Sequence, residues 1–118
     1  MKESIVESKS FDFAVRIVKL YQYLCEEKNE YVLSKQLLRC GTSVGANVSE
    51  AERGQSKPDF YSKMAIALKE ASETQFWIRL LHATEYLNDK EYSSLNSDIN
   101  EIIAILVAIG NSKDKNDN

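Results

Sequence analysis

The sequence predicts an all-α protein: a single domain in which four helices form an antiparallel up-down-up-down bundle. Apolar residues recur along the chain in steps of three and four, which is the spacing of one helix face, and no run alternates as a strand does. Only one proline and four glycines interrupt the 118 residues, so the elements must be long. The predicted connections are short, which makes successive helices run in opposite directions. One domain spanning residues 1–118 suits this length.

A first helix is predicted over residues 10–27. Residues 1–8 are polar and of mixed charge, so we expect them to be frayed. The apolar residues of this helix fall on two overlapping stripes, which is wider than one buried seam requires. The stripes are Phe11, Val15 and Val18, and Phe13, Ile17, Leu20 and Leu24.

A second helix is predicted over residues 31–53 and contains Gly41 and Gly45, one turn apart. Each glycine costs about 1 kcal/mol relative to alanine in a helix interior. Close approach of a neighbouring helix explains this cost, because a residue without a side chain lets another backbone come near. The alternative is a backbone platform for a ligand. Gly54 is placed to end the helix in a left-handed conformation.

The third helix has the clearest start signal in the chain. The segment Ser56-Lys57-Pro58-Asp59 matches a capping box, and proline is tolerated in a first turn. No helix breaker follows between Asp59 and Leu87, so this helix is predicted to be the longest.

The fourth helix is predicted to start near Asp89 and to end at Gly110. Residues 111–118 are then a polar tail that we expect to be disordered, which leaves an ordered core over about residues 10–110. The helix carries a heptad pattern of apolar residues, namely Tyr92, Leu95, Ile99, Ile102, Leu106 and Ile109.

Apolar residues exceed what one small bundle can bury. The third helix carries them on more than one side, and exposed apolar surface on that scale usually marks an interface. We therefore expect an oligomer. The candidate interface residues are Phe76, Trp77 and Leu80.

No catalytic or metal-binding set can be assembled from this sequence. A di-iron bundle needs paired Glu-x-x-His motifs, whereas the single histidine occurs once, as His82-x-x-Glu85 in the reverse order. The glycines are not followed by the residues of a phosphate-binding loop. We expect no enzyme activity, no metal and no cofactor. Carboxylates at helical spacing suit salt bridges better than acid–base catalysis; they are Glu50, Glu52, Glu70 and Glu73.

Charge is distributed unevenly along a chain whose formal net charge is -3. Residues 9–69 carry ten basic and seven acidic side chains, whereas residues 70–118 carry four and nine. This asymmetry permits a basic face on an acidic protein, although solvated helix surfaces alone produce similar patterns. The candidate nucleic-acid-binding residues are Arg16, Lys19, Lys35, Arg39, Lys57 and Lys63.

The cysteines and the apolar runs indicate a cytoplasmic protein without a membrane partner. Cys25 and Cys40 lack a CxxC spacing and lie among apolar residues, which favours two reduced thiols and leaves a disulfide open. The polar N-terminus does not look like a signal peptide. No apolar stretch approaches the ~18–20 residues needed to cross a bilayer.

Two central segments resemble a known family. One is Arg39-x-x-x-Ser43-x-x-x-Asn47-Val48-Ser49-Glu50-Ala51; the other contains Asp59-Phe60 and Lys63-Met64-Ala65-Ile66-Ala67-Leu68-Lys69-Glu70-Ala71-Ser72-Glu73-Thr74. With Ser10-Phe11-Asp12-Phe13-Ala14 and Trp77-Ile78-x-Leu80-Leu81, they make the chain resemble the small four-helix-bundle proteins encoded within intervening sequences of bacterial 23S ribosomal RNA genes.

This resemblance implies an antiparallel four-helix bundle that assembles as a ring, a homopentamer. It also implies kinship with the pentameric accessory variability protein of diversity-generating retroelements, which works with a reverse transcriptase and nucleic acid. The expected function is a non-enzymatic oligomeric scaffold that associates with RNA or DNA, because a ring repeats weak basic sites and gains avidity. The alternative, which the net charge favours, is a protein–protein adaptor ring with no direct nucleic-acid contact.

Overall fold

The computed structural model describes residues 4–116, and this part of the chain consists of four α-helices without a strand. The helices are α1 (Ile5–Lys28), α2 (Leu33–Glu52), α3 (Lys57–Ala83) and α4 (Asp89–Asn116). They pack side by side into a body of 50 × 23 × 21 Å. The structure confirms the predicted all-α class and the number of helices.

The helices share one core. α1 packs against α2, α2 against α3 and α3 against α4, while a smaller contact between α1 and α4 closes the bundle. Within residues 4–116, α1 and α3 lie on a diagonal and do not pack against each other. The largest fully buried side chains of the core are Phe13, Ile17, Leu24, Leu37, Ile78, Leu81, Leu87, Ile99, Ile102, Leu106, Val44 and Val48.

α1 begins at Ile5, earlier than the sequence pattern predicts. The Ser4 side chain accepts a hydrogen bond of 3.1 Å from the backbone N–H of Glu7, which caps the helix. Val6 is 4% exposed and anchors this first turn in the core. The expectation of a frayed start is therefore wrong for residues 5–8, and residues 1–3 lie outside the described residues. The signal was present as Ser-x-x-Glu, a capping box with one apolar anchor.

The α1–α2 connection is built around Glu30, which is buried although it interrupts the apolar pattern. Its carboxylate accepts hydrogen bonds from the backbone N–H groups of Val32 (3.1 Å), Leu33 (2.8 Å) and Ser34 (2.7 Å). A helix start leaves such groups unpaired, so Glu30 caps α2, which begins at Leu33. Burial acts to raise the pKa of Glu30, but these hydrogen bonds outweigh it and lower that pKa below its ordinary value.

The α2–α3 connection departs from prediction at Gly54. This residue does not adopt a positive φ, so the expected left-handed helix end is wrong. Glycine is needed there because a larger side chain would not fit. A Cβ at position 54 would lie 2.7 Å from Oδ2 of Asp59 and 3.1 Å from the carbonyl oxygen of Ala51. The predicted start of α3 is confirmed: the Ser56 hydroxyl accepts a hydrogen bond of 3.2 Å from the Asp59 N–H.

α3 ends at Ala83, short of the predicted Leu87. The chain turns there, and the carbonyl oxygen of Leu81 accepts hydrogen bonds from the N–H groups of both Tyr86 and Leu87. The turn includes a left-handed residue, Glu85, with a φ of 71°. No glycine or proline marks this turn, which is why the sequence pattern does not reveal it.

α4 continues through Gly110 to Asn116, so its predicted end at Gly110 is wrong. A single glycine costs a helix only about 1 kcal/mol, and α3 supports this segment from the side. The Ser112 hydroxyl lies 3.3 Å from the Tyr61 hydroxyl on α3 and donates to the Ile109 carbonyl oxygen at 2.6 Å. Residues 117–118 of the predicted tail lie outside the described residues.

Across residues 4–116, no helix has both the length and the apolar character that a membrane span requires.

Candidate functional site

The two central glycines of α2 face α1. A Cβ on Gly41 would lie 2.9 Å from both Cγ1 and Cγ2 of Ile17, and a Cβ on Gly45 would lie 3.1 Å from the carbonyl oxygen of Ser10. Contacts below 3.4 Å leave no room for a methyl group unless the neighbour moves. The glycines therefore let α1 and α2 approach closely, and α1 occupies the space that a ligand on a backbone platform would need.

Three of the six candidate nucleic-acid-binding residues pair with carboxylates of the same chain. Arg16 lies 2.6 Å from Asp98. Arg39 lies 2.6 Å from Glu73, and the hydrogen bond to this carboxylate raises the pKa of Arg39. The third is Lys63, which lies 3.0 Å from Glu50; that hydrogen bond raises the pKa of Lys63. These three cations are already paired with carboxylates of the same chain, so they are less available to bind a phosphate.

The other three candidates, Lys19, Lys35 and Lys57, are exposed and have no ion pair within the described part of the chain. They do not form a compact patch. Lys57 opens α3 and lies 16 residues before Glu73, which is about 24 Å along the helix axis. Glu73 pairs with Arg39 on α2, and Lys35 is only one turn from Arg39. Lys35 is therefore near the level of Glu73, far along the bundle from Lys57.

Part of the charge asymmetry of the sequence is accounted for by ion pairs between helices. Basic residues of the first half pair with acidic residues of the second half, on α1–α4 and on α2–α3. The pairs are Lys9 with Glu101, Arg16 with Asp98, and Arg39 with Glu70 and Glu73. Partly exposed ion pairs contribute only about 0–1 kcal/mol each, so their contribution to the stability of the bundle is small.

The predicted interface residues divide between surface and core. Phe76 is 52% exposed on α3 and packs edge-to-face on Trp77, with ring centroids 5.1 Å apart. Trp77 is half-buried against the core, and Leu80 is half-buried one turn beyond Phe76. α1 exposes a second apolar set, and the α1–α2 connection a third. The exposed members of these two sets are Phe11, Val15, Val18, Tyr31 and Val32.

Sequence reasoning missed the character of the outer face of α3. Its exposed side chains include two cations, Lys69 and Arg79, neither of which has an ion pair within residues 4–116. The carboxylates on this side of the helix are Asp59 in the first turn and Glu73, which is 34% exposed and pairs with Arg39. The exposed residues at helical spacing on this face are Ser62, Ala65, Ile66, Lys69, Ser72, Phe76, Arg79 and Ala83.

The remaining reactive groups are separate from one another. Both cysteines are free thiols; Cys40 is buried, and burial raises its pKa, whereas Cys25 is half-buried. The Nε2 atom of His82 lies 2.7 Å from Asp89, and its ring stacks on Tyr92 with centroids 4.2 Å apart. Among the residues that the structure describes, no three His, Cys, Asp or Glu side chains converge as metal ligands would.

An open cleft of about 690 Å³ lies beside the α2–α3 connection. Apart from Gly54, its lining residues are polar or charged, and they include both members of the Lys63–Glu50 pair together with Arg53 and Asp59. Ligand pockets for small molecules are predominantly apolar with a few polar groups. The cleft is therefore a solvated groove between helices.

The fold and these surfaces define a small all-α bundle whose helices expose apolar side chains on several faces. The family model described as 23S rRNA-intervening sequence protein matches residues 2–108, so the chain belongs to this family. A crystal structure of a protein with unknown function from the S23 ribosomal protein family of Bacteroides thetaiotaomicron VPI-5482 is 53% identical, with a TM-score of 0.88. That similarity covers 90% of this chain and 98% of the other. No curated protein matches the chain.

Proposed function

We propose that the protein is a non-enzymatic scaffold: an antiparallel up-down-up-down bundle that assembles as a ring of five copies and binds another macromolecule. The order of helix contacts supports the antiparallel arrangement, because Gly41 meets Ile17 whereas the later Gly45 meets the earlier Ser10. The observation that carries the scaffold proposal is the exposure of large apolar side chains on separate faces. Exposed apolar surface of this kind marks interaction sites in a protein of this size.

A protein partner is the client that the geometry supports best. Tyr31 and Val32 are 56% and 72% exposed at the α1–α2 connection, at one end of the bundle. A ring would repeat this apolar end once per subunit and gain avidity from the repetition. Pairing of Arg16, Arg39 and Lys63 with internal carboxylates further reduces the charge available for phosphates. Two free cysteines fit the reducing cytoplasm, which we propose as the location.

The test is affinity capture with the wild-type protein and two variants, analysed by quantitative mass spectrometry. The first variant, Tyr31→Ser with Val32→Ser, removes the apolar end; the matched control, Val107→Ser, removes an exposed valine of α4. We expect at least one protein to be captured by the wild type and the control and lost by the first variant. If the three proteins capture the same set, the adaptor proposal is wrong.

Nucleic acid is the second candidate client, supported by the exposed lysines Lys19, Lys35 and Lys57, which lack an ion pair within residues 4–116. A ring would present each lysine repeatedly. Binding to structured RNA, duplex DNA and single strands should then weaken steeply as salt rises, because phosphate contacts release counterions. Fluorescence anisotropy at low and physiological salt measures this. Absence of binding below ~100 µM at low salt, weaker than ordinary nonspecific binding, would exclude nucleic acid.

A further inference from the structure

A groove runs between the first half of α3 and the last third of α4 and encloses about 330 Å³. Its floor is made by side chains of the core, namely the buried Met64 and Leu106 and the half-buried Leu68. Ala65 and Gly110 also line the groove, and neither has a side chain large enough to fill it. Unlike the polar cleft beside the α2–α3 connection, this groove is lined mainly by apolar groups, as sites for small molecules are.

No contact inside the described part of the chain explains the glycine at position 110. A Cβ at Gly41, Gly45 or Gly54 would lie 3.1 Å or less from a neighbouring atom, whereas a Cβ at Gly110 would have none within 4 Å. Gly110 does not adopt a positive φ, and α4 is helical on both sides of it, where alanine is more favourable than glycine. The glycine leaves open space in the groove, which is what a bound molecule requires.

The charged end of the groove is the end near the start of α3. The hydroxyl groups of Tyr61 and Ser112 lie 3.3 Å apart, so Lys113 is level with the first turns of α3, while Leu106 lies two turns further along the groove, toward Leu68. Lys113 is exposed, and none of the ion pairs within residues 4–116 uses it. No carboxylate is among the residues that line the groove. An apolar channel with one cation at its end is complementary to an apolar chain that ends in an anion.

The length of the groove limits the length of that chain. The lining residues of α3 extend from Pro58 to Leu68, ten residues apart, which is about 15 Å along the helix axis. An extended chain advances about 1.2 Å per bond, since an extended peptide covers about 3.5 Å in three bonds. A chain of about twelve carbons therefore spans the groove.

We propose that this groove binds one molecule of a free fatty acid of about twelve carbons. The carboxylate pairs with Lys113, and the acyl chain lies over Leu106, Met64 and Leu68. The thioether of Met64 is flexible and polarizable, so it adapts to the shape of an acyl chain. The site is separate from the apolar end that carries Tyr31 and Val32, and it adds a small-molecule ligand to the proposed scaffold.

Isothermal titration calorimetry of the full chain with dodecanoate tests the site. Dodecanoate should bind at one molecule per chain, and more tightly than decanoate by up to about 16-fold, since each buried methylene contributes about fourfold. Tetradecanoate should gain little more, because its tail extends beyond the groove. Dodecyltrimethylammonium, which has the same chain length and the opposite charge, should bind more weakly than dodecanoate.

Three variants locate the site within the fold. Gly110→Leu fills the open space and should reduce dodecanoate affinity at least tenfold, while its urea midpoint should not fall, because leucine is favoured in a helix. Lys113→Met should reduce affinity about fivefold, the upper limit for an exposed ion pair. Lys90→Met is the matched control, since this exposed lysine lies at the opposite end of α4; it should bind dodecanoate as the wild type does.

Three results would overturn the proposal. The first is no binding of dodecanoate up to about 1 mM, the range of a weak complex. The second is unchanged affinity in Gly110→Leu, which would place the ligand outside the groove. The third is equal affinity for dodecanoate and dodecyltrimethylammonium, which would mean that Lys113 does not select a carboxylate. None of these results bears on the scaffold proposal, which the capture experiment tests separately.

Discussion

Replacing Gly41 by alanine tests the α1–α2 contact with a single methyl group. In an unobstructed helix this change stabilises by about 1 kcal/mol. At Gly41 the new Cβ would lie 2.9 Å from both Cγ atoms of Ile17, which is fully buried and cannot swing into solvent. Overpacking in a tight core costs about 1–3 kcal/mol. We therefore expect Gly41→Ala to fail to stabilise the protein and to cost up to about 2 kcal/mol on balance.

Truncating the obstructing side chain of Ile17 should reverse the sign of the stability change caused by Gly41→Ala. Ile17→Ala alone should cost about 2–5 kcal/mol, because it leaves a cavity. In that background the obstructing atoms are gone, so Gly41→Ala should stabilise by about 1 kcal/mol. The resulting coupling energy of about 1–3 kcal/mol is typical of residues in direct contact.

Urea unfolding followed by far-UV circular dichroism measures all four members of this cycle. The protein concentration is held constant, because association contributes to apparent stability. Gly110→Ala is the matched control: nothing lies within 4 Å of a Cβ at this helical glycine, so it should gain about 1 kcal/mol. If Gly41→Ala stabilises the parent as much as Gly110→Ala does, α1 and α2 are not in tight contact at Gly41.

Two further predictions concern the same helix. Gly45→Leu should cost about 1–3 kcal/mol in urea unfolding, because its Cβ would lie 3.1 Å from a backbone oxygen of Ser10 that cannot move without α1; unchanged melting and assembly would contradict this. Glu30→Gln should cost about 2 kcal/mol at neutral pH, since a carboxylate accepting three N–H bonds becomes a neutral amide. The folded pKa of Glu30 is lowered from 4.5, so its contribution is present above pH 4.5 and is lost as pH falls through the folded value. The deficit of Glu30→Gln, measured by unfolding between neutral and acidic pH, should therefore shrink below pH 4.5, and a constant deficit would count against the capping role.

The periodicity of apolar residues predicted the four helices. It did not predict the connections between them, because individual hydrogen bonds determine where those helices end. The apolar spacing around Ile99 and Ile102 reports a buried helix face wherever it occurs, so four helices could be found from sequence. The end of α3 at Ala83 depends instead on a turn held by the carbonyl of Leu81, which no breaker residue announces. Glu30 was equally hidden, because a carboxylate in a polar connection looks solvent-exposed until its three N–H partners are located.

In the candidate site, too, the sequence predicted some features and not others. Arg16, Arg39 and Lys63 were recognisable as basic residues, but their carboxylate partners lie on other helices and are brought close only by folding. Pairing decides whether a cation is available to a phosphate, and sequence spacing within one helix carries no information about it. Phe76, in contrast, could be predicted as surface-exposed, because the apolar residues of α3 exceed one buried face.

Sedimentation of the wild-type protein over a range of micromolar concentrations tests the central proposal most directly. We predict one stable species with five times the chain mass of 13.4 kDa, since separate apolar faces need partners to cover them. A single species at 13.4 kDa across that range would contradict it, because exposed Phe11 and Phe76 would then be stable in water without any second copy.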